Sequence, residues 1–549
     1  MGQLSENWAT LWESLAAAQP EHGAVVVGEQ VMRWRDLDER AARLASVFAD
    51  AGVERDAKVA QLLFNCPEYL EAVFAAFKAR ATPVNVNYRY LADEVAYVLD
   101  NSDAEAVVFH GSLGDRIAAV RDRLPRLRLL LQVDDGAPLV DGASWYHDAV
   151  GSASPASPIA RSGDDQLFLY TGGTTGMPKG VMWRHADLFG ALAHTGYVTA
   201  GLEVPTTPAE VGAVAASLNA AGRSPVNLCA PPLMHGTALF LAIQAFVMGG
   251  TVVLPVSRRF DADELWRLVE QHRVTQLSIV GDAFARPMVA ALDTAHSAGR
   301  PYRLETLLRV VSTGATLSAE LKRSLQSHAP QATIIDMIGA SEGGPFALSM
   351  TMPGQPPAET AVFMAPPNAV VIDDSTGLPA ERGSGVVGML AVSGPMPSGY
   401  YRDPERTAVT FRTIDGVRYT VPGDYATIDA DGTVHLLGRG SVCINTGGEK
   451  VYPEEVEVAA RSHPAVLDCA VVGVADERFG ESVTLVASRR GDAAPVSDDD
   501  LTGHLRARLA AYKVPRQIVW VDAVERSPSG KGDYRWARRT AEAAVAARS

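Results

Sequence analysis

Apolar residues along the chain fall into two rhythms. Short unbroken runs, AVVVG (24–28), KVAQLLF (58–64), AEAVVF (104–109), QLSIVG (276–281) and LLRVVSTG (307–314), have the length and β-branched content of buried strands. Between them lie longer stretches such as LDERAARLASVFADAG, where apolar positions return every three or four residues, the period of a helix with one buried face. Buried strands alternating with helices predict an α/β chain with layered, largely parallel sheets. No internal repeat of fixed period is present.

The segment from Asp135 to Asp165 breaks this rhythm: rich in Ala, Ser, Pro, Gly and Asp, it is expected to be a surface connection into the strand QLFLY. A sharper change comes near Arg439. From there to Ser549 the chain holds 16 Lys/Arg and 16 Asp/Glu, so the whole net charge of -15 sits on residues 1–438. Within the tail, KVYPEEVEVAARSHPAVLDCAVVGVADERFGESVTLVASRR reads helix, strand, turn, strand, and LTGHLRARLAAYKVPRQIVWVDAV reads helix then strand. The expected organisation is a large α/β domain of layered subdomains over 1–438 and a small α+β domain over 439–549.

Composition narrows the function. With 549 residues the chain exceeds one ordinary domain, and 49 Lys plus Arg against 64 Asp plus Glu argue against general binding to nucleic acid or a membrane surface. Cys66, Cys229, Cys443 and Cys469 lie far apart, without the spacing of a disulfide framework or a zinc site. The start, MGQLSENWATLWESL, lacks a cationic segment followed by an apolar run, and no stretch of about 18 apolar residues occurs. A cytoplasmic protein is expected.

The candidate chemistry starts at YTGGTTGMPKG, Tyr170 to Gly180. Pro178 precedes Lys179 and Gly180 follows it, so the Walker pattern of Gly-Lys-Ser/Thr is not met. The physics of a phosphate loop survives. Gly172, Gly173 and Gly176 let backbone N–H groups converge on oxyanions, while Thr171, Thr174 and Thr175 hold phosphate oxygens or a metal. A bare hairpin turn between QLFLY and VMWRH is the structural alternative.

With this loop the sequence resembles the adenylate-forming superfamily of acyl-CoA synthetases, aryl-CoA ligases, peptide-synthetase adenylation domains and beetle luciferases. Tyr170–Gly180 fits the family's T-S/G-G-T-T-G-x-P-K-G motif, and IGASE (338–342) stands where the family has Y-G-x-T-E. VPGDYATIDADGTVHLLGR (421–439) fits its T-G-D to G-R stretch, INTGGEKVYPEEVE (444–457) its glycine-containing segment, and SPSGK (527–531) its lysine motif. The VMWRH and IGASEGG wording is most similar to actinobacterial fatty-acyl-CoA synthetases, including those handling steroid side-chain acids.

The resemblance implies ATP-dependent activation of a carboxylic acid through acyl-AMP, then transfer to coenzyme A with release of AMP and pyrophosphate. Carboxylate and α-phosphate repel: at 4 Å two unit charges interact by about 4 kcal/mol at an effective dielectric near 20, so cations are needed at the reacting centre. Lys531 is the implied bridge, Glu342 and Thr171 the ligands of Mg2+ among phosphates and waters, and Lys179 the loop's cation. Asp424 suits the ribose hydroxyls and Arg439 the ribose or α-phosphate. Gly314, Ala315 and Thr316 give one wall for adenine, Asp336 accepts from its exocyclic amine, Ile338 stands where relatives stack a tyrosine, and Ser341 is a further cofactor-binding position. His235, in PPLMHG, matches a histidine beside the acyl carboxylate and entering thiol. Leu239 stands where many relatives carry an aromatic gate.

The implied second half-reaction requires the small domain to rotate about Ser441, where relatives place Asp or Lys, and Thr446, Gly447 and Gly448 then line the pantetheine channel. Asn445 replaces a frequent lysine there. The stretch 278–292 matches the family's acyl-pocket region, and small Gly281, Ala283 and Ala285 imply room for a long-chain or bulky alicyclic acid. Two enzymatic alternatives are a fatty-acyl-AMP ligase loading a carrier chain and an aryl-CoA ligase; a luciferase-type oxidase shares the first step. An amino-acid-activating module would ordinarily run into a carrier domain, and 18 residues follow Lys531. A non-catalytic nucleotide sensor is expected to lose the lysine or the acid, and Lys531 and Glu342 are both present. Homodimers are common among the resembling enzymes, and the sequence leaves the oligomeric state open.

Overall fold

The apolar runs are strands. In the computed structural model, which describes residues 4–171, 177–314, 317, 319–355, 362–439, 444–451, 453–490, 496–525 and 534–547, they form Gly23–Val27, Lys58–Leu62, Ala104–His110, Gln276–Ile279 and Arg309–Thr313. The helical-period stretch forms Trp34–Asp50, burying Leu37, Ala41, Leu44, Ala45 and Phe48 along one face.

Two sheets carry the large domain. In one, strands Gly23–Val27, Thr251–Leu254, Val226–Cys229, Gln276–Ile279, Arg309–Thr313 and Thr333–Ala340 run parallel side by side, and Gly343–Thr351 adds an antiparallel neighbour. In the other, Thr82–Asn85, Lys58–Leu62, Ala104–His110 and Leu129–Val133 are parallel, and Gln166–Thr171 pairs with Lys179–Arg184 in an antiparallel hairpin. A helical layer between the sheets buries Trp8, Trp12, Trp34, Phe74, Phe77 and Phe246. Trp12 meets Phe74 and Phe246 edge-on at 5.1 and 5.2 Å, the arrangement the ring quadrupoles favour.

The expected surface connection 135–165 is partly structured. Strand Ser144–Trp145 leads into helix Tyr146–Ser152, whose Tyr146 is fully buried and donates its hydroxyl to Glu71 at 2.7 Å. At the end of this segment Asp165 receives Arg80 and the Asn7 side chain, which also caps helix Trp8–Ala18.

The small domain has its own sheet, with Ile444–Thr446, Glu449–Val451, Val466–Asp476, Gly480–Arg489 and Gln517–Val521, and its own apolar clusters on both faces. Helices Pro453–Arg461 and Asp498–Arg506 form as the periodicity predicts. Helix Tyr534–Ala546, unanticipated from the sequence, packs Ala537 and Ala541 onto the second face. Cys66, Cys229 and Cys469 are buried free thiols, while Cys443 lies outside the described residues. Among the described residues no helix is long and apolar enough to cross a membrane.

Candidate active site

A cavity of about 570 Å³ opens where the C-terminal ends of the parallel strands meet the hairpin strand Gln166–Thr171 and the small domain. The volume lies within the range of small-molecule sites. Thr171, His235, Gly314, Ser341, Glu342 and Gly448 all line it, so motifs spread over 278 residues converge on one space.

Each is held by specific contacts. Asn85 ties the loop strand to the histidine segment: its Nδ2 donates to the carbonyls of Tyr170 and Met234, and its Oδ1 accepts from Tyr170 N–H at 2.6 Å. Trp183 Nε1 donates to the carbonyl of Ser341 and Thr420 Oγ1 to that of Glu342, fixing the IGASE turn. The Glu342 carboxylate accepts the Tyr400 hydroxyl at 2.8 Å, and Lys179 Nζ lies 5.8 Å from the centre of the Tyr400 ring. Thr171 faces Lys179 in register at the mouth of a strand hairpin, a pairing common to a phosphate loop and to the plain turn of the structural alternative.

The small domain enters through a hairpin. Ile444–Thr446 pairs with Glu449–Val451, placing Gly447 and Gly448 in the turn at φ +58° and +83°. A Cβ on Gly448 would stand 2.7 Å from the Val280 side chain, so glycine is needed both for the turn and for the close approach. Thr446 is buried beside it. The next residue, Glu449, was not anticipated: its Oε1 accepts Arg89 at 2.8 Å and lies 3.2 Å from His235 Nε2. Burial alone would raise its carboxyl, but His235, Arg89 and Lys513 outweigh that and hold it down to about 2. Lys513, also unanticipated, pairs with Glu94 of the large domain at 2.8 Å, both buried. INTGGEK contained the signal for Glu449; its partners required the coordinates.

Side-chain alternation defines the rest of the cavity and corrects several expectations. On strand Arg309–Thr313 residues Arg309, Val311 and Thr313 line it; on Thr333–Ala340 residues Thr333, Ile335 and Met337 do so. Asp336 and Ile338 therefore fall on the opposite face. The Asp336 carboxylate, which burial pushes up against the pull of Lys322, pairs with Lys322 at 3.2 Å, so the structure does not bring it into the cavity for an exocyclic amine. Ile338 packs toward Phe346 and Ala347. Gly281 and Ala285 are not on the cavity wall: Ala285 is fully buried in the core below the sheet and Gly281 donates its N–H to Ser312 Oγ. Val280 lines the cavity in their place. Leu239 turns into the helical core, and its neighbour Phe240 faces the cavity, edge-on to Trp183 at 6.0 Å.

Asp424 and Arg439 stand opposite each other in paired strands, with Asp424 off the cavity wall. Gly172, Gly173, Thr174, Thr175, Gly176, Ala315, Thr316, Ser441 and Lys531 lie outside the described residues, and so does the side chain of Ala283. Among the described residues no cluster of three His, Cys, Asp or Glu could hold a metal by itself. Glu342 with Thr171 at the polar end of the cavity suits a magnesium ion whose other ligands are phosphates and water.

A strand hairpin bearing a Gly/Thr loop, an acid-bearing turn and a second domain closing over an acyl-sized cavity define an adenylate-forming enzyme. The chain belongs to the AMP-binding enzyme family: that family's model matches residues 12–401, and the model of the AMP-binding enzyme C-terminal domain matches 455–531. It is similar to a 3-oxocholest-4-en-26-oate–CoA ligase of Rhodococcus rhodochrous, 41% identical over 97% of this chain and 96% of the relative. It is also similar to a medium/long-chain-fatty-acid–CoA/3-oxocholest-4-en-26-oate–CoA ligase of Mycobacterium tuberculosis, 42% identical over 98% and 96%. Among solved structures, the amide bond synthetase McbA of Marinactinospora thermotolerans shares the fold, with a TM-score of 0.79 at 24% identity over 97% of this chain and 99% of that one.

Proposed function

We propose that the protein is an AMP-forming acyl-CoA synthetase acting on a long-chain or bulky alicyclic carboxylic acid, fatty or steroid side-chain in type. The carrying observation is the cavity: a polar end with Thr171, Ser341, Glu342 and His235 continues into an apolar trough walled by Val311, Ile335, Met337 and Leu348. The curated relatives, similar along their whole length, bear names of ligases for such acids.

In this reading ATP binds at the Gly/Thr loop and the acid lies in the trough with its carboxylate toward the polar end. Glu342 and Thr171 would hold a magnesium ion, which would supply positive charge against the phosphates, and Lys531 bridges carboxylate and α-phosphate. The carboxylate attacks the α-phosphorus and pyrophosphate leaves. Coenzyme A then enters along the turn of Gly447 and Gly448, its thiol attacks the acyl carbon beside His235, and AMP leaves with the bonding electron pair. Docking of Gly448 and Glu449 against Val280 and His235 supports assigning the described arrangement to this second step. His235 sits where a proton from the thiol can be accepted, with Glu449 orienting its ring.

Incubating purified protein with ATP, Mg2+ and a panel of acids, with and without coenzyme A, tests the reading. Acyl-CoA and AMP are expected in equal amounts with decanoate or a steroid side-chain acid, and little product with acetate or benzoate. A reversed preference, or adenylate that passes only to a carrier protein, overturns the assignment.

A further inference from the structure

The far end of the trough is not apolar. Gln276, Arg309 and Thr333 are direct register partners on three adjacent parallel strands, and all three line the cavity. Neighbouring strands lie about 4.8 Å apart, so the three form a row across the trough floor. The next row toward the site is Val311, Ile335 and Met350, and the one after it is Thr313, Met337 and Leu348. Two steps of strand separate successive rows, which puts the polar row about 13 Å from the Thr313 row beside Gly314.

The row is built for donation. The Gln276 amide is oriented by donating to Asn227 Oδ1 at 3.2 Å, and Asn227 is itself buried and held by Ser278 Oγ at 3.1 Å. No carboxylate among the described residues pairs with the Arg309 guanidinium, and the next row of the wall, Val311, Ile335 and Met350, is apolar. A hydrocarbon end placed there would strip water from a charged group and return nothing, whereas an oxygen acceptor replaces that water with a charge-assisted hydrogen bond.

We infer that Arg309, with Gln276 and Thr333, forms a recognition subsite for a hydrogen-bond-accepting oxygen, keto, hydroxyl or carboxylate, at the end of the acid remote from its reacting carboxylate. This rests on the synthetase reading and deepens it: the substrate is an acid oxygenated at both ends with an apolar middle. Arg309 acts in specificity, and it touches none of the reacting atoms.

The test compares kcat and KM for acids of one backbone length that end in methyl, ketone, hydroxyl or a second carboxylate, in wild type, Arg309→Met and Arg309→Lys. In wild type kcat/KM is expected to favour an oxygen-bearing end by at least about tenfold, chiefly through KM. Arg309→Met should bring that ratio close to one, and Arg309→Lys, which keeps the charge and loses the planar fork, should leave an intermediate ratio. Preference for the second carboxylate alone identifies an anion as the ligand; preference for ketone and hydroxyl identifies a neutral acceptor. No preference in wild type, or an undiminished preference in both variants, overturns the subsite. Thioester formation from none of these acids would instead overturn the synthetase reading beneath it.

Discussion

At the scale of single residues, Glu449 is the most strongly perturbed acid at the candidate site. Its carboxyl is held at about 2 against an ordinary 4.5, because the charges of His235, Arg89 and Lys513 outweigh burial. The lowered value means that the ionised form stabilises the docked arrangement above the ordinary carboxylate range, and that this contribution is lost as pH falls from 4.5 toward 2. Carboxyl-carbon NMR of the labelled protein should show one glutamate, absent in Glu449→Gln, titrating near 2 in wild type and moving toward the ordinary value in Arg89→Ala. An unshifted midpoint contradicts the geometry. The sequence displayed Glu449 inside a family motif, yet nothing in INTGGEK reveals that Arg89, some 360 positions earlier, faces it. Glu342 and His235 were legible because their motifs carry them; Glu449, Arg89 and Asn85 act through partners that only the folded chain brings near.

At the scale of elements, the strands and helices were legible wherever burial imposes a rhythm, as in LLRVVSTG and in the helix Trp34–Asp50. The face that each strand presents was not. RVVST alternates Arg, Val, Thr with Val, Ser, and either set could meet a ligand until the sheet's neighbours are known. The expectation at Gly281, Ala283 and Ala285 came instead from the family position of a segment that folds as the helix Gly281–Ser297, whereas the apolar cavity wall runs along the strand residues Val311, Ile335 and Met350. A pair of variants separates the two. Val311→Phe projects into the trough and is expected to raise KM for long acids by about tenfold or more while sparing short ones, with Tm nearly unchanged. Ala285→Phe overpacks the core below the sheet, so it should cost about 1–3 kcal/mol in urea unfolding without changing acid preference. Unchanged chain-length preference in Val311→Phe contradicts this wall. The missed helix Tyr534–Ala546 has an amphipathic period in YRWARRTAEAAVA that a search past the lysine motif would have shown.

At the scale of the whole molecule, contacts between the small domain and the large one among the described residues include the Gly448 turn on Val280, Glu449 between Arg89 and His235, and Lys513 on Glu94. Gly448→Ala places a methyl against Val280 at a φ of +83°, so thioester formation is expected to slow by about tenfold or more while acid-dependent pyrophosphate release continues. Equal slowing of both steps would show that the turn serves the fold alone. The most direct measurement follows both half-reactions separately in Lys531→Ala: pyrophosphate release from ATP and acid, and acyl-CoA formation from supplied acyl-adenylate and coenzyme A. The first is expected to fall by about 10²-fold or more, while the second stays within about tenfold of wild type. Full pyrophosphate release in the variant, or equal loss of both steps, contradicts a single site served in turn by two faces of the small domain.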